Sequence, residues 1–212
     1  MSPQDHHKRF EASGREGADA AVPDESELVT RASGGDTEAF GMLIKSRRDL
    51  VHRIAARIVG PDEADDVAQL VFIKFWRELP RLPRNIGGAG IDRWLVRVTA
   101  NKAIDLARHV GRRIKLVERR GMEWAQQPLD EALERGEAAR VFIDVAGAIG
   151  ERQRAAFVLR EIEGYATEEV AEILDVAHST VRNLVHQARQ GLRREIRRRF
   201  PEYAPADEPH TD

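Results

Sequence analysis

Apolar residues in this chain recur at steps of three and four, and no segment alternates in twos as a half-buried strand would. Ile91, Trp94, Leu95 and Val98 stand at i, i+3, i+4 and i+7, which puts all four on one stripe of a helix. The same period returns along Phe40, Leu43, Ile44, Leu50, Val51, Ile54 and Ile58, along Val67, Val71, Phe75 and Leu79, and along Val181, Val185 and Leu192. An all-α fold follows. Glycine and proline divide it into segments at Gly34-Gly35, Gly60-Pro61, Pro80 to Gly90, Gly150 and Gly164.

Residues 1–24 are polar and lack an apolar period, so they are expected to be a disordered tail. A helix begins near Glu25, and a second, capped by Asp36, carries Phe40 through Val59 to Gly60. The third runs from about Glu63 to Leu79 with Asp62 as its cap. Two prolines and three glycines make Pro80 to Gly90 a loop. A fourth helix follows, and beyond it the stretch from Gly111 to about Glu131 shows charge without sustained period and is expected to be a tether. Helical pattern resumes near Leu129, breaks at Gly150 and ends in a long helix from His178 to about Phe200. The expected organisation is two small helical domains, 25–112 and 132–200, joined by a flexible linker, 113–131, and followed by an acidic tail, 201–212.

Composition narrows the function. With 42% hydrophobic and 33% charged residues, the chain suits small modules of high surface-to-core ratio better than one large core. Zero cysteines exclude disulfides, thiolate-bound zinc and a cysteine nucleophile. No run approaches the roughly 18 apolar residues of a membrane span, so no membrane insertion and a cytoplasmic location are expected. The acids Asp62, Glu63, Asp65 and Asp66 open a helix, where carboxylates favour the positive end of its dipole and are ordinarily solvated. His52, His109, His178 and His186 lack a third metal ligand at suitable spacing, and no Ser/His/Asp set, P-loop or dinucleotide-binding glycine pattern is present. No cofactor and no enzymatic activity are expected.

The net charge of -2 conceals a segregation of charge along the chain. Arg93, Arg97, Asn101, Asp105, Arg108 and Arg112 fall at steps of four or three, with Lys102 and Arg113 beside them, and make a mainly cationic row on one helix face. Near the other end, Gly164 to Arg194 reads as a short helix, a tight turn and a longer helix, the order of a helix-turn-helix. Its second helix would present His178, Ser179, Thr180, Arg182, Asn183 and His186 to a DNA groove, with Arg189 and the arginines beyond it at phosphates. Arginine can pair bidentately with guanine and asparagine with adenine, so Arg182 and Asn183 are the candidates for reading bases.

The segment GYATEEVAEILDVAHSTVRNLVHQARQGLRR is similar to region four of the extracytoplasmic-function (ECF) sigma factors of bacterial RNA polymerase. LVTRASGGDTEAFGMLI, DEADDVAQLVFIKFW and RWLVRVTANKAIDLAR resemble region two of the same family, in the family's order. The resemblance covers roughly Glu25 to Arg199 and implies promoter-specific initiation with core RNA polymerase, promoter DNA and a dedicated anti-sigma factor as partners. It implies that Asp66 and Gln69, with Asp65, Leu70 and Ile73 around them, grip the clamp helices of the polymerase's largest subunit. It further implies that the row with Arg93, Arg97, Asn101, Lys102, Arg108, Arg112 and Arg113 engages the melted minus-ten element, that the Pro80 to Gly90 loop captures a flipped base, and that the helix from His178 reads the minus-thirty-five element.

Some positions depart from the family pattern. Leu70 stands where glutamate is usual, and Leu184 and Gln187 where arginine is frequent. Ala166 and Ala177 replace the serine caps of the two helix-turn-helix helices, a loss of about 1 kcal/mol each unless compensated, with Thr167 and Ser179 as alternative caps. Two rival functions remain at this point: a stand-alone regulator with a response-regulator type of helix-turn-helix, and a helical interaction protein whose basic runs are merely solvated.

Overall fold

A computed structural model of the chain describes residues 24–83, 86–118 and 137–203, and among these every regular element is helical. The expected N-terminal tail before Asp24, the tether beyond Glu118 and the acidic tail beyond Tyr203 lie outside the described residues. Helices α1 (Glu25–Ser33), α2 (Thr37–Lys45), α3 (Arg48–Val59), α4 (Ala64–Glu78) and α5 (Gly87–Glu118) form the first group. The second group is α6 (Glu137–Ala146), α7 (Glu151–Phe157), α8 (Thr167–Leu174) and α9 (His178–Arg199).

The first group is organised around aromatic and branched side chains from the predicted stripes. Val67, Val71 and Phe75 of α4 and Ile91 and Leu95 of α5 are fully buried beside Ile54 and Ile58 of α3. Trp76, Phe40, Phe75 and Trp94 meet in that order in tilted and edge-on contacts, with ring centroids 4.7 Å apart for Phe40 and Trp76 and 5.5 Å for Phe40 and Phe75 and for Phe75 and Trp94. They are packing residues, as their period requires. The buried guanidinium of Arg47 ties three elements: it donates to Asp92 on α5 at 2.7 Å, pairs with Glu25 on α1, and reaches the Leu43 carbonyl of α2 at 3.4 Å.

Four local expectations are corrected. The segment from Asp36 to Gly60 is two helices, because the backbone turns at Ser46 and Arg47, where Arg47 N–H bonds back to the Ile44 carbonyl. Helix α4 is preceded by Glu63 rather than capped by Asp62, and no side chain caps it. The loop after Pro80 is shorter than expected: a 3-10 turn covers Leu79–Arg81, and α5 already starts at Gly87, so that Gly88 and Gly90 sit in its first turn. At Gly88 a Cβ would lie 2.4 Å from Glu25 Oε2, the end of a side chain that can turn aside. Helix α5 also runs on to Glu118, through the first residues assigned to the tether.

In the second group α7 passes without a break into a π turn, Val158–Ile162, closed by Glu163 N–H donating to the Val158 carbonyl at 2.9 Å. Helix α8 then meets α9 across the turn Asp175 to Ala177, where Asp175 adopts the left-handed conformation with φ 53°. Val176 N–H closes that turn on the Ala171 carbonyl at 3.0 Å. The missing serine at Ala166 is compensated from the other side: Glu169 accepts from Ala166 N–H at 2.9 Å, half of a capping box. Nothing replaces it at Ala177, and the caps do not shift, because α8 and α9 begin at Thr167 and His178 as Ala166 and Ala177 dictate.

The two groups share one apolar core. Ala155, Ala156, Val158 and Leu159 of α7 and the π turn, with Val170, Ile173 and Leu174 of α8, join Ile58 and Ala100 in a single buried cluster. A smaller cluster, Val145, Ile149, Ala188 and Leu192, holds α6 against α9 and is lined by Phe142 and Phe157, whose rings stack 5.7 Å apart.

Candidate nucleic-acid interface

Helix α9 owes its two faces to its period. Val181, Val185, Ala188 and Leu192 are buried at steps of three and four, and this turns His178, Ser179, Thr180, Arg182, Asn183, His186 and Arg189 outward, all exposed. The first turn of α9 therefore projects polar side chains into solvent, as a recognition helix must to enter a major groove. Arg189 is held by Glu161 at 2.6 Å, and His186 lies 3.0 Å from Gln190. Further along, Arg193, Arg194, Arg197 and Arg198 line a shallow cationic groove suited to phosphates. Glu195 accepts from Arg198 in this stretch, and that bond holds its carboxyl below the ordinary glutamate range.

The row on α5 is different. Arg93, Arg97 and Asp105 are exposed, but Asn101, Lys102 and Arg108 are half-buried, because α7 and α8 lie against this helix. Asn101 Nδ2 donates to the Arg97 carbonyl at 2.9 Å and to the Ile173 carbonyl of α8 at 3.3 Å. Arg108 donates to Glu151 of α7 at 2.8 Å, and this hydrogen bond depresses the Glu151 carboxyl below its usual range. Arg93 lies 3.7 Å from Glu169 of α8. The expectation of a row open to solvent along its length is thus corrected: half of it faces protein. Arg112 and Arg113 lie on α5, but their side chains fall outside the described residues.

The third predicted surface is open. Asp65, Asp66 and Gln69 on α4 are exposed, and beside them Leu70 and Ile73 are 49% and 43% exposed, an apolar strip that the core leaves uncovered. His52 approaches Asp65 at 3.5 Å. Glu63, at the start of α4, is raised above the ordinary glutamate range by burial and by the neighbouring Asp62 charge. No group of three or more metal-ligating side chains occurs among the described residues, and none of their helices is long and apolar enough to cross a membrane.

Sequence reasoning missed a set of residues between the two helical groups. Glu163, at the end of the π turn, has a side chain only 7% exposed and accepts from Arg53 at 3.1 Å and from Arg57 of α3. Arg154 of α7 crosses to the Ile58 carbonyl at 2.8 Å, and its Nε is buried without a hydrogen-bond partner. Burial also lowers the Arg154 pKa from the ordinary arginine value. The spacing of Arg53 and Arg57, four apart on α3, was a visible signal of one shared anionic partner, but nothing local identifies that partner as Glu163.

Residues 43–113 match sigma-70 region 2 and residues 148–192 match sigma-70 region 4, together more than half of the chain. The chain is 29% identical over 180 residues to the ECF RNA polymerase sigma-E factor of Haemophilus influenzae, covering 80% of this chain and 93% of that one. It is 33% identical over 157 residues to the ECF RNA polymerase sigma factor SigE of Mycolicibacterium smegmatis, covering 71% of this chain and 59% of that one. Among solved structures, its fold is similar to CnrH in complex with the cytosolic domain of CnrY, with TM-score 0.54, 22% identity and coverage of 79% and 94%. It is also similar to the sigma factor RpoE in complex with the anti-sigma factor NepR from Bartonella quintana, with TM-score 0.56, 20% identity and coverage of 74% and 96%. Two family matches in the order region 2 then region 4, on a helical core that ends in an exposed recognition helix, identify this chain as a member of the sigma-70 family, in its extracytoplasmic-function group.

Proposed function

We propose that this chain binds core RNA polymerase and directs it to promoters by bipartite recognition, supplying no chemistry of its own and acting in the cytoplasm. Two modules do the reading, 25–112 on the minus-ten element and 132–200 on the minus-thirty-five element. The observation that carries the proposal is the exposed N-terminal half of α9, with Arg182 and Asn183 both exposed in its second turn and Arg189 and Arg193 following on the same helix. Arg182 and Asn183 discriminate bases, while His178, Ser179, Thr180, His186 and Arg189 position the helix on the duplex.

The α5 row then holds the melted strand. Arg93, Arg97, Lys102, Arg108, Arg112 and Arg113 attract its phosphates, and Asn101 offers an amide that can donate to and accept from an unpaired base. Polymerase docks on α4 through Asp65, Asp66 and Gln69, with Leu70 and Ile73 as an apolar anchor that water alone would not favour leaving exposed. A dedicated anti-sigma factor would cover the same surfaces, as the RpoE–NepR complex suggests.

Run-off transcription with core polymerase over a random promoter library tests the proposal. Two enriched sequence blocks at fixed spacing are expected. An absence of promoter-specific transcript, or of any association between the chain and core polymerase, refutes it and favours a helical interaction protein instead.

A further inference from the structure

Two glutamines, one on α7 and one on α9, form a hydrogen-bonded chain that starts at a backbone group. Gly150 N–H donates to Gln153 Oε1 at 3.1 Å, which satisfies a donor that the start of α7 leaves without a partner of its own. A backbone N–H can only donate, so the Gln153 amide has one orientation, with its oxygen toward Gly150 and its nitrogen away from it. That nitrogen donates to Gln187 Oε1 on α9 at 2.9 Å. Polarity is thus handed on: Gln187 turns its oxygen to α7, and its Nε2, with two donor hydrogens, is the end of the amide offered to a ligand. Gln187 is exposed and stands one turn beyond Asn183, whereas Gln153 is half-buried. The neighbouring contact of His186 with Gln190 fixes no polarity, since an imidazole nitrogen donates or accepts according to its tautomer.

We infer that Gln153 is a positioning residue for sequence selection: it holds Gln187 with its donor outward, so that α9 selects guanine at one position of the upstream promoter element. The inference rests on the sigma-factor reading and deepens it. In the major groove guanine offers two acceptors, N7 and O6, whereas cytosine offers only the N4 donor. An outward Nε2 therefore bonds to guanine and meets cytosine donor against donor. Adenine and thymine, with one acceptor each, fall between. A glutamine free to turn would pair with adenine through its oxygen and nitrogen together, and the bond from Gln153 removes that choice by drawing the oxygen toward α7. In the free protein the relay is weak, because it is exposed and water competes for both amides. Docking strengthens it: the groove displaces water, and an amide of the wrong polarity is then left unpaired. Gln153 itself acts only through Gln187.

Selection from the random promoter library by the full chain bound to core polymerase tests this. Gln187→Ala identifies the position, as the one where base preference is lost. For the unaltered chain guanine is expected there, at least about tenfold over cytosine. Gln153→Glu is the decisive variant. One carboxylate oxygen still accepts from Gly150 N–H, so the start of α7 is kept, but the other accepts where Gln153 donated. Gln187 must then turn its Nε2 inward and its Oε1 outward, and guanine should give way to cytosine on the same strand, with preference elsewhere in both blocks unchanged. The added charge weakens binding to every sequence alike and does not alter base choice. Gln187→Glu sets the benchmark, as an acceptor at the same place that should also take cytosine. In the Gln187→Ala background, Gln153→Glu should leave the selected sequences unaltered, which a general disturbance of α7 would not. Circular dichroism checks helicity; should Gln153→Glu lose it, Gln153→Met, of similar length and without a polar end, should broaden the preference from guanine to include adenine. Guanine retained unchanged in a folded Gln153 variant, or no guanine preference in the unaltered chain, overturns the inference while the two enriched blocks remain. Failure to enrich any block refutes the transcription reading itself, and this inference with it.

Discussion

Asp36 shows how one side chain starts a helix. Its Oδ1 accepts from Glu38 N–H at 2.9 Å and Ala39 N–H at 3.0 Å, and its Oδ2 accepts from Arg31 at 2.8 Å. The Ala39 bond first and the Arg31 bond second hold its carboxyl below the ordinary aspartate range. A depressed folded pKa adds stability that is complete above the unfolded value and disappears as pH falls through the folded one. Asp36→Asn keeps a capping oxygen but loses the charge, so the mutant should melt below the parent at neutral pH, and the gap should close on acidification below the ordinary aspartate range. Melting curves at the two pH values check this; a gap independent of pH would assign the effect to something other than ionisation. Asp36 was legible as a cap from sequence because the signal is local. Glu163 was not, because its partners stand more than 100 positions earlier, and only folding brings them together.

The helices owe their stability to what they bury, and two of them make that measurable. Phe75, with no exposed surface, links α4 to Phe40 and Trp94, so Phe75→Ala should cost about 3–5 kcal/mol in urea unfolding of the first group. A cost near that of a surface substitution would mean that the aromatic chain collapses around the gap. In α9 the tight point is Gly191: a Cβ there would lie 2.5 Å from Ile149 Cγ2, and the branched neighbour has little room to withdraw. Gly191→Ala gains helix propensity but overpacks the α6–α9 contact, for a net loss of about 1 kcal/mol, read as a lower Tm. An unchanged or raised Tm would show that Ile149 turns aside freely. At this scale the apolar period announced the described helices except the division of α2 from α3, and the other errors fell at ends. The break at Ser46-Arg47 was hidden because apolar residues continue on both sides of it, and the early start of α5 was hidden because Gly87, Gly88 and Gly90 disfavour a helix.

For the molecule as a whole, the proposed division of labour predicts separable defects. Arg182→Ala should relax base preference in the upstream block of selected promoters, with opening of bound promoters kept; unchanged preference in the selected pool would count against base reading by Arg182. Asn101→Ala should impair strand opening, followed by permanganate reactivity, while binding to core polymerase is kept. The same substitution removes the bond to the Ile173 carbonyl, so it should also loosen the free protein. Charge segregation and motif order made the two modules and the recognition helix legible. They could not reveal that the modules rest on each other, since an interface between surfaces of mixed polarity leaves no periodic trace in either. The π turn gives this arrangement an evolutionary handle. It holds one residue more than an α-helical path would need, and at 3.6 residues per turn the removal of one residue between Val158 and Ile162 would swing everything downstream by about 100°. Glu163 would then point away from α3. Deletion of a single codon would thus unseat Glu163 from Arg53 and Arg57 without altering any residue assigned to promoter or polymerase.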